Sequence, residues 1–277
     1  MSHVLVIANE TAATRALLEA VKRAAGPGDL VTVIAPVNAP SSGYVVYQDT
    51  RRAASGRRLD RTLAGLREAG IAAHGLVVDA NPVDAARDAL AQSEPHPDLI
   101  IVSTHPKEKS GWLRRGVLER IRGIAGGTPV EHVTVDVTDE EGAKNVLVVA
   151  NETVVGEPLL QRIRERSARS PASFLVISPQ SDPTQSHHPE AERRLRRALA
   201  ALRAQGIDAH GQIAHPDPFT AAMHAVEDER IDEIIVSTFP GARSGWLRRD
   251  LVERLRSETG LPVEHVVVEP ESVGATA

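Results

Sequence analysis

The sequence predicts an α/β protein built from two tandem, doubly wound, parallel five-stranded sheets. Three observations predict it. The hexapeptide Ser-Gly-Trp-Leu-Arg-Arg occurs at 110–115 and again at 244–249, and its two copies contain both tryptophans of the chain, Trp112 and Trp246. Longer stretches repeat in the same order: Val4-Leu-Val-Ile-Ala-Asn-Glu-Thr11 returns as Val146-Leu-Val-Val-Ala-Asn-Glu-Thr153, Gly70-Ile-Ala-Ala-His-Gly75 as Gly206-Ile-Asp-Ala-His-Gly211, Ile100-Ile-Val-Ser-Thr-His-Pro106 as Ile234-Ile-Val-Ser-Thr-Phe-Pro240, and Pro129-Val-Glu-His-Val133 as Pro262-Val-Glu-His-Val266. Finally, short apolar runs alternate with helical patterns in each half, as helices crossing between parallel strands require. A repeat of this length is a whole domain rather than a solenoid unit, so residues 1–140 and 141–277 are expected to be two domains.

The elements follow in order. Val4–Ala8 is a continuous apolar run, the pattern of a strand covered on both faces. Ala13, Leu17, Leu18, Val21 and Ala25 then share one helical face, which Gly26-Pro27-Gly28 ends. Leu30–Ala35 is a second strand. A helix is expected from Arg51 to Ala69, closed by Gly70 in the left-handed position that helix ends favour. Ala72–Val78 is the third strand. Asn81-Pro82 reads as an N-cap with proline at the first helical position, and Asp217-Pro218 is its equivalent in the second half. That helix ends near Pro95. Leu99–Ser103 is a fourth strand, Leu113–Ile124 a single fourth helix and Val130–Val135 a fifth strand. The first half also carries an extra stretch, Tyr44-Val-Val-Tyr-Gln48, which holds both tyrosines of the chain.

Composition narrows the function. The chain has no cysteine, which excludes a disulfide framework, thiol catalysis and thiolate metal sites. Aromatic residues make up only 3%, so the cores rest on Ala, Val, Leu and Ile. The net charge is −5, with arginines spread among acids, unlike a nucleic-acid footprint. No apolar run reaches membrane-spanning length, and no signal architecture precedes the first strand. A cytoplasmic protein with no nucleic-acid and no membrane partner is expected.

In a doubly wound sheet, ligands bind at the carboxyl ends of strands where the strand order reverses. That rule selects two loops per half. Asn9, Glu10, Asn151 and Glu152 follow the first strands. Ser103, Thr104 and His105, with Ser237, Thr238 and Phe239, follow the fourth. Both loops are among the best-matched segments of the repeat.

Here the chain resembles the universal stress protein family, specifically its tandem two-domain members, whose domains are Rossmann-like. In that family the fourth strand leads into a nucleotide motif of Gly, two residues, Gly, nine residues, Gly and Ser or Thr. The spacing survives as Ser103, Pro106 and Gly116-Val117, and as Ser237, Pro240 and Asp250-Leu251. Glu119-Arg120 with Pro129-Val130, and Glu253-Arg254 with Pro262-Val263, also resemble the family pattern. The chemistry differs. Proline has a fixed φ and no N–H, so Pro106 and Pro240 cannot cradle a phosphate as glycine does. Val117 and Leu251 replace the phosphate-facing hydroxyl, and Asn9 and Asn151 stand where the family has an acid. The resemblance implies a non-enzymatic stress-response or regulatory protein whose ligand, if retained, is ATP, AMP or a phosphate-like anion. It also implies pairing of the two domains, with a homodimer as a further assembly. A purely structural interaction module with degenerate sites and a nucleotide-handling enzyme are the alternatives.

The hexapeptide has two open readings. Ser110 with Arg114, and Ser244 with Arg248, hold an anion at a helix start, or the serines cap the helix and the tryptophans pack it. His132 and His265 lie in the last strands, where the family pairs its domains, which favours an interface role over a metal site. His74 and His210 read as half-exposed strand residues. No metal site and no catalytic residue is assigned. The simplest role for Glu10 and Glu152 is as caps beside a helix start.

Overall fold

The computed structural model describes residues 2–12, 14–37, 40, 43–46, 48–106, 111–114, 116–135, 144–179, 188–240 and 250–269, with backbone only at 48–51, 53–54, 111 and 114. The chain forms two compact units. Unit 1 comprises Met1–Ala39, Gln48–Gly142 and Asp228–Arg230; unit 2 comprises Pro40–Tyr47, Ala143–Glu227 and Ile231–Ala277.

In unit 1, β1 (His3–Ile7) is followed by α1 (Arg15–Ala24) and β2 (Leu30–Pro36). After β3 (Tyr44–Val46), which belongs to unit 2, come α2 (Gln48–Glu68), β4 (Ala72–Val78), α3 (Pro82–Gln92), β5 (Leu99–Thr104), α4 (Gly111–Arg114), α5 (Val117–Ile124) and β6 (Val130–Thr134). The sheet is parallel, in the order β4-β2-β1-β5-β6. Because side chains alternate across a strand, the fully buried β1 serves two cores. Val4, Val6 and Ala8 join Leu17, Val21, Leu63 and Leu66 from α1 and α2. Leu5 and Ile7 join Val83, Ala86 and Ile121 from α3 and α5 on the other side.

Local chemistry sets the boundaries. Asn81 Oδ1 accepts from the amides of Val83 and Asp84, capping α3 ahead of Pro82. Gly70 and Gly206 close their helices at φ 75° and 74°. Gly75 admits the close approach of α2: a Cβ there would stand 2.6 Å from the Val33 carbonyl oxygen and 2.7 Å from Leu59. Two expectations change. The segment 113–124 is two helices rather than one, broken at Gly116, whose φ of 62° is left-handed and cannot continue a helix. Helix α1 is capped by Thr14, which accepts from the Leu17 amide, and not by Glu10.

Unit 2 repeats the pattern with β7 (Lys144–Val149), a short 3-10 turn at Glu152–Val155, α6 (Glu157–Arg169), β8 (Ala172–Pro179), α7 (Pro189–Arg203), β9 (Asp208–Ala214), α8 (Pro218–Asp228), β10 (Glu233–Thr238), α9 (Leu251–Thr259) and β11 (Val263–Val267). Its sheet has six strands, β11-β10-β7-β8-β9-β3, instead of the expected five. The sixth, β3, runs antiparallel to β9, pairing Tyr44 with Ile213 and Val46 with Gly211. Asp217 Oδ2 accepts from the Thr220 amide at the start of α8, matching the Asn81 cap. Thus both units are α/β with mostly parallel sheets.

Candidate functional site

In unit 1 the strand order reverses between β1 and β5, and the carboxyl ends of these strands bring Asn9, Glu10, Ser103 and His105 to one region. Asn9 is the centre of a bracket. Its Nδ2 donates to the Pro36 carbonyl at 2.8 Å, while its Oδ1 accepts from Ser55 Oγ and Arg58 Nη2, both at 2.9 Å. This explains the amide. An aspartate could not donate to the Pro36 carbonyl and would set two oxygens against each other.

Glu10 lies beside it. Both its carboxylate oxygens accept from the Arg230 amide at 3.3 Å, and Oε2 is 3.2 Å from His105 Nε2. His105 is only 5% exposed. Its approach to Glu10 is close enough for ion pairing when the ring is protonated, but its direction does not make a hydrogen bond. Among the described residues, neither His105 ring nitrogen, nor Ser103 Oγ, nor Thr11 Oγ1 has a hydrogen-bond partner, and all are buried. A buried polar group left unsatisfied costs about 1–3 kcal/mol, so polar groups gathered in this way favour water or a ligand that satisfies them.

Thr104 serves the fold. Its hydroxyl donates to the His105 carbonyl at 2.9 Å, so it accepts from His132 Nε2 at 2.8 Å, which fixes the Nε2–H form of that ring. Thr238 and His265 repeat the contact at 2.8 Å. Burial pushes both histidines below their ordinary pKa, and the charges of Arg122 and Arg256 add to the effect.

Unit 2 keeps part of this arrangement. Asn151 Oδ1 accepts from Ser178 Oγ at 3.3 Å and Arg194 Nη2 at 3.2 Å, so the Asn–Arg bracket is present twice. Ser237 Oγ, like Ser103 Oγ, is buried without a partner among the described residues. Thr153 differs from Thr11: its hydroxyl donates to the Ser237 carbonyl at 3.1 Å. Glu152 is exposed at the head of the 3-10 turn, and Phe239 takes the place of His105.

Gly116, the last glycine of the spacing, is left-handed at φ 62°, and Asp250 keeps that conformation at φ 47° in unit 2. The other predicted residues fall elsewhere. Ser110, Ser244 and Arg248 lie outside the described residues, and of Arg114 only the backbone is described. Trp112 is half-buried against the core formed with α3 and α5, in keeping with a packing role. Sequence reasoning missed Ser55, Arg58, Ser178 and Arg194. A signal for the arginines was present: Arg57-Arg58-Leu59 and Arg193-Arg194-Leu195 stand at the same separation as Gly70 and Gly206. Among the described residues, no group of three or more His, Cys, Asp or Glu could hold a metal ion, and no helix is long and apolar enough to cross a membrane.

No protein-family model and no curated protein matches the chain. Among solved structures, a universal stress protein from Archaeoglobus fulgidus aligns over 96% of this chain and 96% of its own, at 17% identity and a TM-score of 0.36. A putative universal stress protein from Pseudomonas aeruginosa aligns over 98% and 94%, at 16% identity and a TM-score of 0.29. An N-acetyl-L-ornithine transcarbamylase mutant aligns over 96% and 88%, at 16% identity and a TM-score of 0.24.

Proposed function

We propose that the chain is a non-enzymatic binding protein of the universal stress protein type, which holds a small phosphate-bearing ligand at the carboxyl ends of β1 and β5 in unit 1. ATP, AMP and inorganic phosphate are the probes of choice. The reading rests on Thr11, Ser103 and His105, buried side chains that make no hydrogen bond among the described residues, beside the Asn9–Arg58 bracket. Arg58 brings a guanidinium to the strand end, and charge-assisted bonds to phosphate are the strong ones. The hydroxyls and the imidazole supply further polar contacts. A stress-response role, a cytoplasmic setting, the pairing of the domains and a homodimer belong to the same proposal.

Thermal unfolding and calorimetry with each probe test it. The wild type is expected to gain stability with at least one probe, and Arg58→Met to bind it at least tenfold more weakly, about 1.4 kcal/mol. Hydrolysis of ATP should stay at background. No stabilisation by any probe at millimolar concentration would reject ligand binding. A second reading, an interaction module with degenerate sites, is favoured by Phe239 and Pro240 in unit 2; it predicts that Arg194→Met changes no affinity.

A further inference from the structure

We infer that the outer edge of β9 is a strand-acceptor groove and that Gly43–Val46 of the same chain is its resident ligand. This is independent of the proposed ligand site.

The two sheets end differently on this side. In unit 1 the corresponding strand β4 is half-open: exposed and partly buried residues alternate along it, and Leu76 is 59% exposed. In unit 2, β9 is buried from Ala209 to Ala214, and this includes the polar His210 and Gln212. An extended segment adding to such an edge gains affinity from main-chain hydrogen bonds and specificity from side-chain pockets. β3 has both features. It pairs antiparallel with Gly211–Ile213. Val46 is fully buried in the core that contains Leu195, Leu199 and Ile213, and Tyr44 packs against the same core. The Tyr44 hydroxyl oxygen accepts from the His188 amide at 3.4 Å.

Gly43 makes the fit selective. Its φ is +79°, and a Cβ there would stand 1.8 Å from the Ile213 carbonyl oxygen and 2.8 Å from its carbon, both backbone atoms that cannot step aside. The groove therefore recognises glycine, then tyrosine, then a β-branched residue two positions on.

Hydrogen–deuterium exchange of the full chain tests this, comparing peptides over 208–214 and 72–78. Gly43→Val and Val46→Asp should each speed exchange in β9 at least tenfold and leave β4 unchanged. An excess of the synthetic peptide Pro-Ser-Ser-Gly-Tyr-Val-Val-Tyr, the sequence of residues 40–47, should restore protection in the Val46→Asp protein. The same peptide with Val in place of its glycine should not. Unchanged β9 exchange in both variants would overturn the inference. So would a loss that the peptide fails to reverse, or a loss that spreads equally to β4, because the segment would then be an ordinary part of the core.

Discussion

The ends of β1 and β7 are built alike for one step and differently at the next. Both place an asparagine whose Oδ1 accepts from an arginine on the second α-helix that follows, Arg58 on α2 and Arg194 on α7. Beyond that point unit 1 sets Glu10 against His105 and leaves Thr11 without a partner among the described residues, whereas unit 2 has Phe239 and a Thr153 satisfied by Ser237. The shared part ties helix to strand; the part that differs is the polar set around His105, on which the proposed ligand site rests. Ser103 and Ser237 stay alike, each with a buried hydroxyl that lacks a partner among the described residues, so the contrast lies in the threonine and in His105 against Phe239.

Substitutions sharpen that contrast, in descending order of effect. Phe174 is fully buried in β8, at the register where unit 1 has only Val31. Phe174→Ala should destabilise unit 2 by about 3–5 kcal/mol, read as a fall in the denaturation midpoint carried by unit 2 peptides in exchange experiments. Next is Arg166, a buried guanidinium bidentate to Glu233 at 2.6 and 2.9 Å. Glu233→Gln should cost about 3 kcal/mol by leaving a buried charge poorly paired, while joint replacement of Arg166 by Met and Glu233 by Leu should recover most of the loss in urea unfolding.

Asn9→Asp sets a carboxylate against the Pro36 carbonyl and should cost about 1–3 kcal/mol in the same titration; no loss would break the account of the asparagine as a bracket. His105→Phe converts unit 1 toward unit 2. It should raise the melting temperature of the free protein by relieving an unsatisfied buried imidazole, and should abolish stabilisation by phosphate-bearing probes.

The smallest effect is on pH. His132 and His265 are held below the ordinary histidine value of 6.5 by burial. Below that value the unfolded chain binds more protons than the folded one. Stability should therefore be flat above about pH 6.5 and decline as pH falls toward the folded-state pKa values. The double variant His132→Gln/His265→Gln should lose that slope in urea midpoints measured across the range.

Much of the fold was legible in the residues. Val4–Ala8, the Asn81-Pro82 cap and Gly70 each determine local backbone behaviour, so each could be read locally. The left-handed Gly116 was visible as a glycine, but the apolar periodicity of 113–124 runs through it and concealed the break. The partner of β3 was not legible: Tyr44-Val-Val46 carries the aromatic and β-branched residues of a strand, but nothing local in it points to residues 211–213. In the candidate site, the rule for doubly wound sheets found Asn9, Glu10, Ser103 and His105 at the strand ends. Arg58 and Ser55 escaped because an arginine or serine within a polar helix face reads as solvated, and only the folded chain shows which of them turns inward to Asn9.

The exchange of short stretches between the two sequence halves has a genetic consequence. Unit 1 draws on Asp228–Arg230, whose Arg230 amide meets Glu10, and unit 2 draws on Pro40–Tyr47. A gene divided between codons 142 and 143 would give two polypeptides, each lacking a piece encoded by the other. Each half expressed alone is therefore expected to be less stable than the same unit in the full chain.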